Sequence, residues 1–89
     1  MDLAWQARVT NTFRRSYRNL SSEVRNRVDA ALRELLNADD PRRLGLRKVG
    51  KWQGIYSYEI GRQFRILYDV RFEEGIVELL DVGTHIVYR

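Results

Sequence analysis

Fourteen arginines and one histidine are the most chemically suggestive residues of this 89-residue chain. The chain has no cysteine, so thiol chemistry, disulfides and thiolate zinc sites are excluded, and His85 alone cannot build a multi-histidine metal centre. Any catalysis must therefore use arginine, lysine, tyrosine, carboxylates or His85. A guanidinium stays charged and donates paired hydrogen bonds to phosphate, whereas an imidazole exchanges protons near neutral pH.

The positive charge is concentrated in the middle of the chain. Residues 41–68 carry seven basic and one acidic side chain, whereas residues 69–89 carry two basic and five acidic ones. Clustered arginine favours a polyanionic partner, most simply nucleic acid. Arginines in solvated surface pairs would give the same composition, and the sequence leaves both interpretations open.

Length and composition predict one globular domain over residues 1–89. Hydrophobic residues make up 44% of the chain and charged residues 31%, which is typical of folded soluble proteins. No apolar run approaches the roughly 18 residues of a membrane span, and the first ten residues do not have the pattern of a signal peptide. We therefore expect a cytoplasmic protein that does not associate with membranes.

Two helices are predicted in the first half of the chain, after a short strand. Residues 1–6 alternate between apolar and polar positions, as in a half-buried strand. Apolar residues from Val9 to Leu20 recur at helical spacing, with arginines that we interpret as a solvated face opposite them. Ser21 is suited to cap a second helix, whose apolar stripe runs from Val24 to Leu36.

The second half of the chain has the period of two that is typical of strands. Alternation predicts strands over residues 55–60, 63–70 and 76–82, with a short extended piece in residues 44–49. If residues 61–63 form the loop of a hairpin, both apolar faces coincide, and Glu59 lies opposite Arg65. The expected fold class is α+β, with two N-terminal helices packed on one face of a small antiparallel sheet in the order β-α-α-β-β-β.

The other face of this sheet is expected to remain open. Arg65 and Glu59 project from it, and the basic segment 42–51 reaches the edge of the same sheet. The sequence therefore predicts a concave cationic face.

Nearly the whole chain also resembles a known family. The order of elements is followed by GIYSYEIGRQFRILYDV, an acidic turn and IVELLDVGTHIVYR. Its most specific parts are the string from Phe64 to Tyr68 and the Val-Gly pair at residues 82–83, followed by His85 and Tyr88. In these features the sequence resembles the RelE/ParE superfamily of toxins from bacterial and archaeal toxin–antitoxin pairs.

The resemblance implies a function and a set of partners. RelE-branch toxins cleave messenger RNA in the ribosomal A site without metal or cofactor, whereas ParE relatives inhibit DNA gyrase. A cognate antitoxin, the ribosome and mRNA are therefore the expected partners. The resemblance also implies that Arg65 is the phosphate-binding arginine and that His85 and Tyr88 lie near the C-terminal active-site positions. Where RelE has lysines on the strand before the hairpin, this chain has Ser57 and Glu59.

Metal-free RNA cleavage needs the ribose 2′-hydroxyl to attack the adjacent phosphate, with a base, an acid and a cation for the developing charge. The candidate catalytic residues are Arg65, His85, Tyr88 and Glu59. The candidate RNA-binding residues are Arg47, Lys48, Lys51 and Arg62. Each has a structural alternative, such as a cross-strand ion pair between Arg65 and Glu59.

Three functional hypotheses follow from these residues. The first is a ribosome-dependent endoribonuclease that an antitoxin holds inactive. The second is a ParE-like gyrase inhibitor without nuclease activity, and the third is a decayed toxin that retains only antitoxin binding.

Overall fold

The computed structural model describes residues 4–48 and 54–84 and has the predicted order of elements. The helices are α1 (Asn11–Arg18), α2 (Ser22–Leu36) and a 3-10 turn (Pro41–Leu44). The strands are β1 (Gln6–Val9), β2 (Leu46–Arg47), β3 (Tyr56–Ile60), β4 (Phe64–Arg71) and β5 (Ile76–Gly83). The α+β fold class and the order β-α-α-β-β-β are confirmed, with the short β2 as an addition between the helices and β3.

The first strand begins later in the chain than predicted. β1 starts at Gln6, so within the described part of the predicted range 1–6 the prediction is wrong for residues 4–5 and right only at Gln6. Trp5 is buried just before the strand, where its backbone N–H donates to the Leu36 carbonyl oxygen at 3.0 Å and its Nε1 donates to the Ala38 carbonyl oxygen at 2.8 Å. These bonds anchor the residue at the C-terminal end of α2 instead of in the sheet.

The first helix also begins later than its apolar stripe suggests. Val9 is the last residue of β1, and the N-cap of α1 is Thr10, whose hydroxyl oxygen accepts from the Phe13 N–H at 3.1 Å. The Thr10 N–H donates to the Leu79 carbonyl oxygen of β5. The predicted helix is confirmed, but its apolar stripe begins in a strand residue, so the boundary is set by the cap and not by the periodicity.

The second helix begins where the sequence predicts. The Ser21 hydroxyl oxygen accepts a hydrogen bond from the Val24 N–H at 3.2 Å, as the N-cap position requires. The face of α2 that packs on the sheet contributes buried apolar side chains, namely Val28, Ala31, Leu35 and Leu36. Val28 and Leu35 are fully buried in the core between helices and sheet.

The five strands form one sheet in the order β1-β5-β4-β3-β2. The β3–β4 hairpin has the predicted register, with Ile60 opposite Phe64 and Glu59 opposite Arg65. The predicted antiparallel arrangement holds for β2 to β5, but β1 pairs with β5 in parallel. The last strand, β5, is an interior strand, because it lies between β1 and β4, and it is apolar on both sides.

The two faces of the sheet differ in what they bury. Ile66 and Tyr68 of β4 belong to the core cluster beneath the helices. Alternate residues point the other way, and there Leu67 and its cross-strand neighbour Ser57 are each only 1% exposed. The prediction that the face away from the helices is open is therefore wrong around Ser57 and Leu67, where that face is closed. Arg65 lies nearer the hairpin end of that face.

No helix in the described part of the chain is long and apolar enough to cross a membrane.

Candidate functional site

Arg65 lies near the start of β4, on the face away from the helices. Its neighbours across the sheet are Glu59 in β3 and Gly83 in β5. Because Gly83 has no side chain, β5 does not cover the arginine from that side. The Arg65 side chain is 31% exposed, which leaves its guanidinium half-buried and accessible to a ligand.

Arg65 lines a polar cleft of about 370 Å³. The described residues that line this cleft are Arg62, Gln63, Arg65 and Thr84. Arg62 and Gln63 come from the hairpin loop, and Thr84 directly follows the end of β5. The fold therefore brings two of the sequence-predicted residues, Arg62 and Arg65, to the same concave surface.

One atom of Arg65 is left without a hydrogen-bond partner. Its Nε is buried, and the nearest carboxylate oxygen, Oε2 of Glu59, lies 3.9 Å away, which is within ion-pair range but too far for a hydrogen bond. A buried donor without a partner costs free energy, so the site gains stability when an acceptor approaches. Nε can therefore form a hydrogen bond with an acceptor that comes closer, such as the Glu59 carboxylate.

Glu59 does not line this cleft. It lies beside a neighbouring depression of about 310 Å³ that also includes Arg27 of α2 and Gly61 of the hairpin loop. The structure therefore brings Glu59 to Arg65, but Glu59 lines a different depression from the cleft.

The other predicted site residues are distributed differently. Arg47 lies opposite Tyr56, which packs against the helix-side core, so strand alternation directs Arg47 away from the Arg65 face. Lys48 follows β2, and its backbone N–H donates to the Ile55 carbonyl oxygen at 2.8 Å. The remaining predicted residues lie outside the described residues, namely Lys51, His85 and Tyr88.

Two acidic residues of β5 have partners outside the cleft. Glu78 pairs with Arg8 at 4.0 Å and with Arg71 at 3.6 Å, and Arg71 is at the opposite end of β4 from Arg65. Asp81 accepts a hydrogen bond from the Ser16 hydroxyl at 2.6 Å. Within the described ranges, these carboxylates do not line the cleft, and no three His, Cys, Asp or Glu side chains are grouped closely enough to hold a metal. The cleft is therefore cationic.

A second surface was not predicted from the sequence. An apolar groove of about 560 Å³ lies between α1, α2 and β1. Its apolar lining is formed by Ala7, Val9, Phe13, Leu32, Leu36 and Leu79. Arg14 and Arg18 of α1 also line it, and α1 itself contains no acidic residue. Two of the arginines that were predicted to form a solvated face thus place positive charge beside an apolar groove.

A hydrogen bond between the two helices adds a polar element to the groove. The Tyr17 hydroxyl of α1 donates to Oδ1 of Asp29 in α2 at 2.7 Å. This hydrogen bond to the carboxylate, with some burial, raises the pKa of Tyr17 above its usual value. The groove is also bordered by β1, which ends the sheet, and no described strand pairs with the outer edge of β1.

Solved structures share this fold across nearly the whole chain. A chain of the RelBE2 toxin–antitoxin complex from Mycobacterium tuberculosis is 28% identical with a TM-score of 0.70, covering 93% of this chain and 100% of that chain. The RelBE complex of E. coli gives 22% identity and a TM-score of 0.76, covering 94% and 100%. A YoeB/ParE toxin from Agrobacterium tumefaciens gives 17% identity and a TM-score of 0.77, covering 91% and 99%.

Comparison at the level of sequence agrees with this fold. No curated protein has a significant sequence match to the chain. A family model described as the ParE toxin of type II toxin–antitoxin systems matches residues 3–85. That match includes β1 to β5, both helices and the arginines of the cleft, and we conclude that this chain belongs to the ParE toxin family of type II toxin–antitoxin systems and to the wider RelE/ParE superfamily that its sequence resembles.

Proposed function

We propose that this toxin cuts messenger RNA bound to the ribosome, by a metal-free attack of the ribose 2′-hydroxyl on the adjacent phosphate. The observation that carries the proposal is the cleft in which Arg62 and Arg65 meet, where the Arg65 side chain is 31% exposed. The 28% identity to a chain of the M. tuberculosis RelBE2 complex supports the RelE branch.

Arg65 stabilises the transition state in this mechanism. Negative charge increases on the two non-bridging phosphate oxygens as the 2′-hydroxyl attacks, and a planar guanidinium can donate to both oxygens at once. A half-buried position strengthens this interaction because less water screens it. Arg62, from the loop, holds a neighbouring phosphate of the RNA backbone.

His85 and Tyr88 are the residues proposed to transfer protons or contact the base. His85 directly follows Thr84 in the chain, and Thr84 lines the cleft beside Arg65. An imidazole is suited to remove the 2′-hydroxyl proton or to protonate the leaving 5′-oxygen at neutral pH. Tyr88 would stack on a base or donate the second proton. Arg47, Lys48 and Lys51 are proposed to bind RNA phosphates outside the cleft.

The test is mapping of transcript ends after induction of the wild type and of Arg65→Ala. Losing one preorganised donor at the reacting phosphate should lower cleavage by about 10²–10³-fold. Arg33→Ala is the matched control, because Arg33 is an exposed α2 arginine that does not line the cleft. If Arg65→Ala cuts as fast as the control, Arg65 does not have this role.

The second candidate is gyrase inhibition without cleavage, favoured by the family model, which describes ParE toxins. Supercoiling by purified gyrase with added toxin separates the two, since only a ParE-like toxin inhibits it directly. Inhibited supercoiling with intact ribosome-bound transcripts would replace the nuclease proposal. Normal growth on induction, with neither effect, would indicate a decayed toxin.

The partner that restrains the toxin is proposed to bind at the groove of α1, α2 and β1. An acidic, amphipathic segment fits it, because apolar side chains would fill the groove while carboxylates pair with Arg14 and Arg18. The outer edge of β1 can also accept an extended strand. RelE of E. coli has been solved in complex with a peptide of its antitoxin RelB, so an antitoxin segment can bind a toxin of this fold.

Charge reversal at the groove tests this assignment. Arg14→Glu combined with Arg18→Glu should weaken binding of the cognate antitoxin by about tenfold or more, measured by calorimetry, because two attractive contacts become repulsive. Arg33→Glu combined with Arg43→Glu is the control for the change in net charge, because both arginines are exposed and neither lines the groove. Equal affinity of all three proteins would place the antitoxin elsewhere.

A further inference from the structure

We infer that Glu59 is a positioning residue that holds the Arg65 guanidinium at its Nε and points its two terminal nitrogens into the cleft. This inference rests on the proposed nuclease function and refines it, because it removes Glu59 from the candidates for the general base.

The Glu59 carboxylate approaches the guanidinium of Arg65 at its Nε atom. Oε2 of Glu59 lies 3.9 Å from Nε, so the carboxylate is paired with the stem side of the guanidinium and not with its terminal nitrogens. A planar guanidinium held at Nε keeps its end-on edge free, and that edge can form two parallel hydrogen bonds with a phosphate. The contact therefore restricts the rotation of Arg65 without occupying its phosphate-binding atoms.

The position of Glu59 separates it from the reacting group. Arg62, Arg65 and Thr84 line the polar cleft, whereas Glu59 lines the neighbouring depression beside α2. A general base must come within hydrogen-bond distance of the proton that it removes, directly or through one water. Because Glu59 pairs with Arg65 and does not line the cleft, the carboxylate acts on the phosphate through the guanidinium.

The backbone fixes this relation. Glu59 and Arg65 are directly opposite in the β3–β4 register, and the hairpin loop between these strands has three residues. The register cannot slip by one residue without turning the apolar side chains of both strands out of the core. Because Nε has no hydrogen-bond partner, an approach of about 1 Å brings the carboxylate into hydrogen-bond range when a ligand orders the arginine.

Single-turnover cleavage by purified variants on programmed ribosomes, followed across pH, tests the inference. Glu59→Gln retains an oxygen that can accept from Nε, so its cleavage rate should stay within about fivefold of the wild type, with an unchanged pH profile. Glu59→Ala should lose about tenfold or more, because a mispositioned group slows the chemical step. In an Arg65→Ala background, Glu59→Ala should change the rate by less than about twofold, since the two residues act as one unit.

A general base behaves differently in each of these measurements. If Glu59 removes the proton, Glu59→Gln loses about 10²-fold or more and the acid limb of the pH profile changes. That result overturns the inference, as does an additive effect in the Arg65→Ala background. Glu73→Gln is the matched control, because Glu73 is an exposed carboxylate in the turn between β4 and β5, at the other end of the sheet.

A spectroscopic arm does not depend on cleavage. The Nε–H resonance of Arg65 in ¹⁵N-labelled toxin should exchange faster with water and shift in Glu59→Ala, but change little in Glu73→Gln. An unchanged resonance in Glu59→Ala overturns the inference even if the toxin is active. If the wild type fails to cut ribosome-bound mRNA, the nuclease proposal fails, while the resonance still decides whether Glu59 holds Arg65.

Discussion

Replacing Tyr68 with phenylalanine should give a loss of stability that disappears at high pH. Tyr68 is fully buried in β4, and its hydroxyl donates to the Pro41 carbonyl oxygen at 2.6 Å. Pro41 begins the 3-10 turn that leads into β2, so this bond ties the basic residues of that turn and of β2 to the central strand. Removing a buried hydrogen bond of this kind costs about 1–2 kcal/mol in the free energy of unfolding.

The pH dependence follows from the ionisation of the same hydroxyl. Burial, and to a smaller extent the nearby Tyr56, Tyr58 and Asp40, raises the pKa of Tyr68 well above its usual value of 10.0. Below pH 10 the hydroxyl is protonated in both states, and its contribution to stability is complete. Above pH 10 only the unfolded chain loses the proton, so stability falls by about 1.4 kcal/mol per pH unit until the folded-state pKa is reached. The phenylalanine variant lacks this loss.

Urea denaturation at pH 9 and pH 11 measures both effects. We expect the wild type to be more stable than Tyr68→Phe by about 1–2 kcal/mol at pH 9 and by close to zero at pH 11. Tyr56→Phe is the control, because its ring stacks on Tyr68 with centroids 5.7 Å apart, yet its hydroxyl makes no hydrogen bond with any described residue. A difference between wild type and Tyr68→Phe that stays constant from pH 9 to pH 11 would contradict the reasoning.

Three further predictions concern stability and are measured by the same method. Gly45→Ala should destabilise the fold by about 1–3 kcal/mol, because a Cβ there meets the Tyr68 hydroxyl and lies 3.1 Å from the Ser57 carbonyl oxygen; wild-type stability would refute this close approach. Gly61→Ala should cost about 1–2 kcal/mol, because its φ of 62° strains an L residue while the Arg27 terminus nearby can move aside; a neutral effect would contradict it. Asp40→Asn should reduce the loss of unfolding free energy at acid pH. The hydrogen bond from Arg42 lowers the pKa of Asp40, so the stabilisation is present above about pH 4 and is lost as the pH falls. The same loss in the variant and the wild type would count against this pair.

The parts of the fold that depend on neighbouring residues in sequence could be predicted. Ser21 fits an N-cap by residue type alone, and the β3–β4 register follows because only one pairing places both apolar sets on one face. The parallel pairing of β1 with β5 joins Gln6 to Ile76, and nothing local in either segment specifies that partner. Periodicity shows which side chains share a face but not which strand lies beside them.

The candidate site shows the same limit. Arg62 and Arg65 could be placed together from the hairpin and the family resemblance, and the structure brings them to one cleft. The side of the guanidinium that Glu59 occupies depends on side-chain rotamers, which alternation does not encode. The groove beside α1 was missed because its arginines match the pattern of a solvated helix face, and only the packing of α1 against α2 and β1 shows an apolar groove beside them.

The residue proposed to matter most for cleavage contributes little to the fold. Arg65 is 31% exposed, and its pair with Glu59 at 3.9 Å is worth at most about 1 kcal/mol at such an exposure. Arg65→Ala removes that small term and also removes a buried Nε that has no hydrogen-bond partner, so the two effects oppose each other. The strand that carries Arg65 is the middle one of five, held by pairing on both sides and by the buried Ile66 and Tyr68. Loss of toxicity in a folded Arg65→Ala protein would therefore report on the chemistry of the cleft and not on stability, because the central strand keeps its packing without the guanidinium.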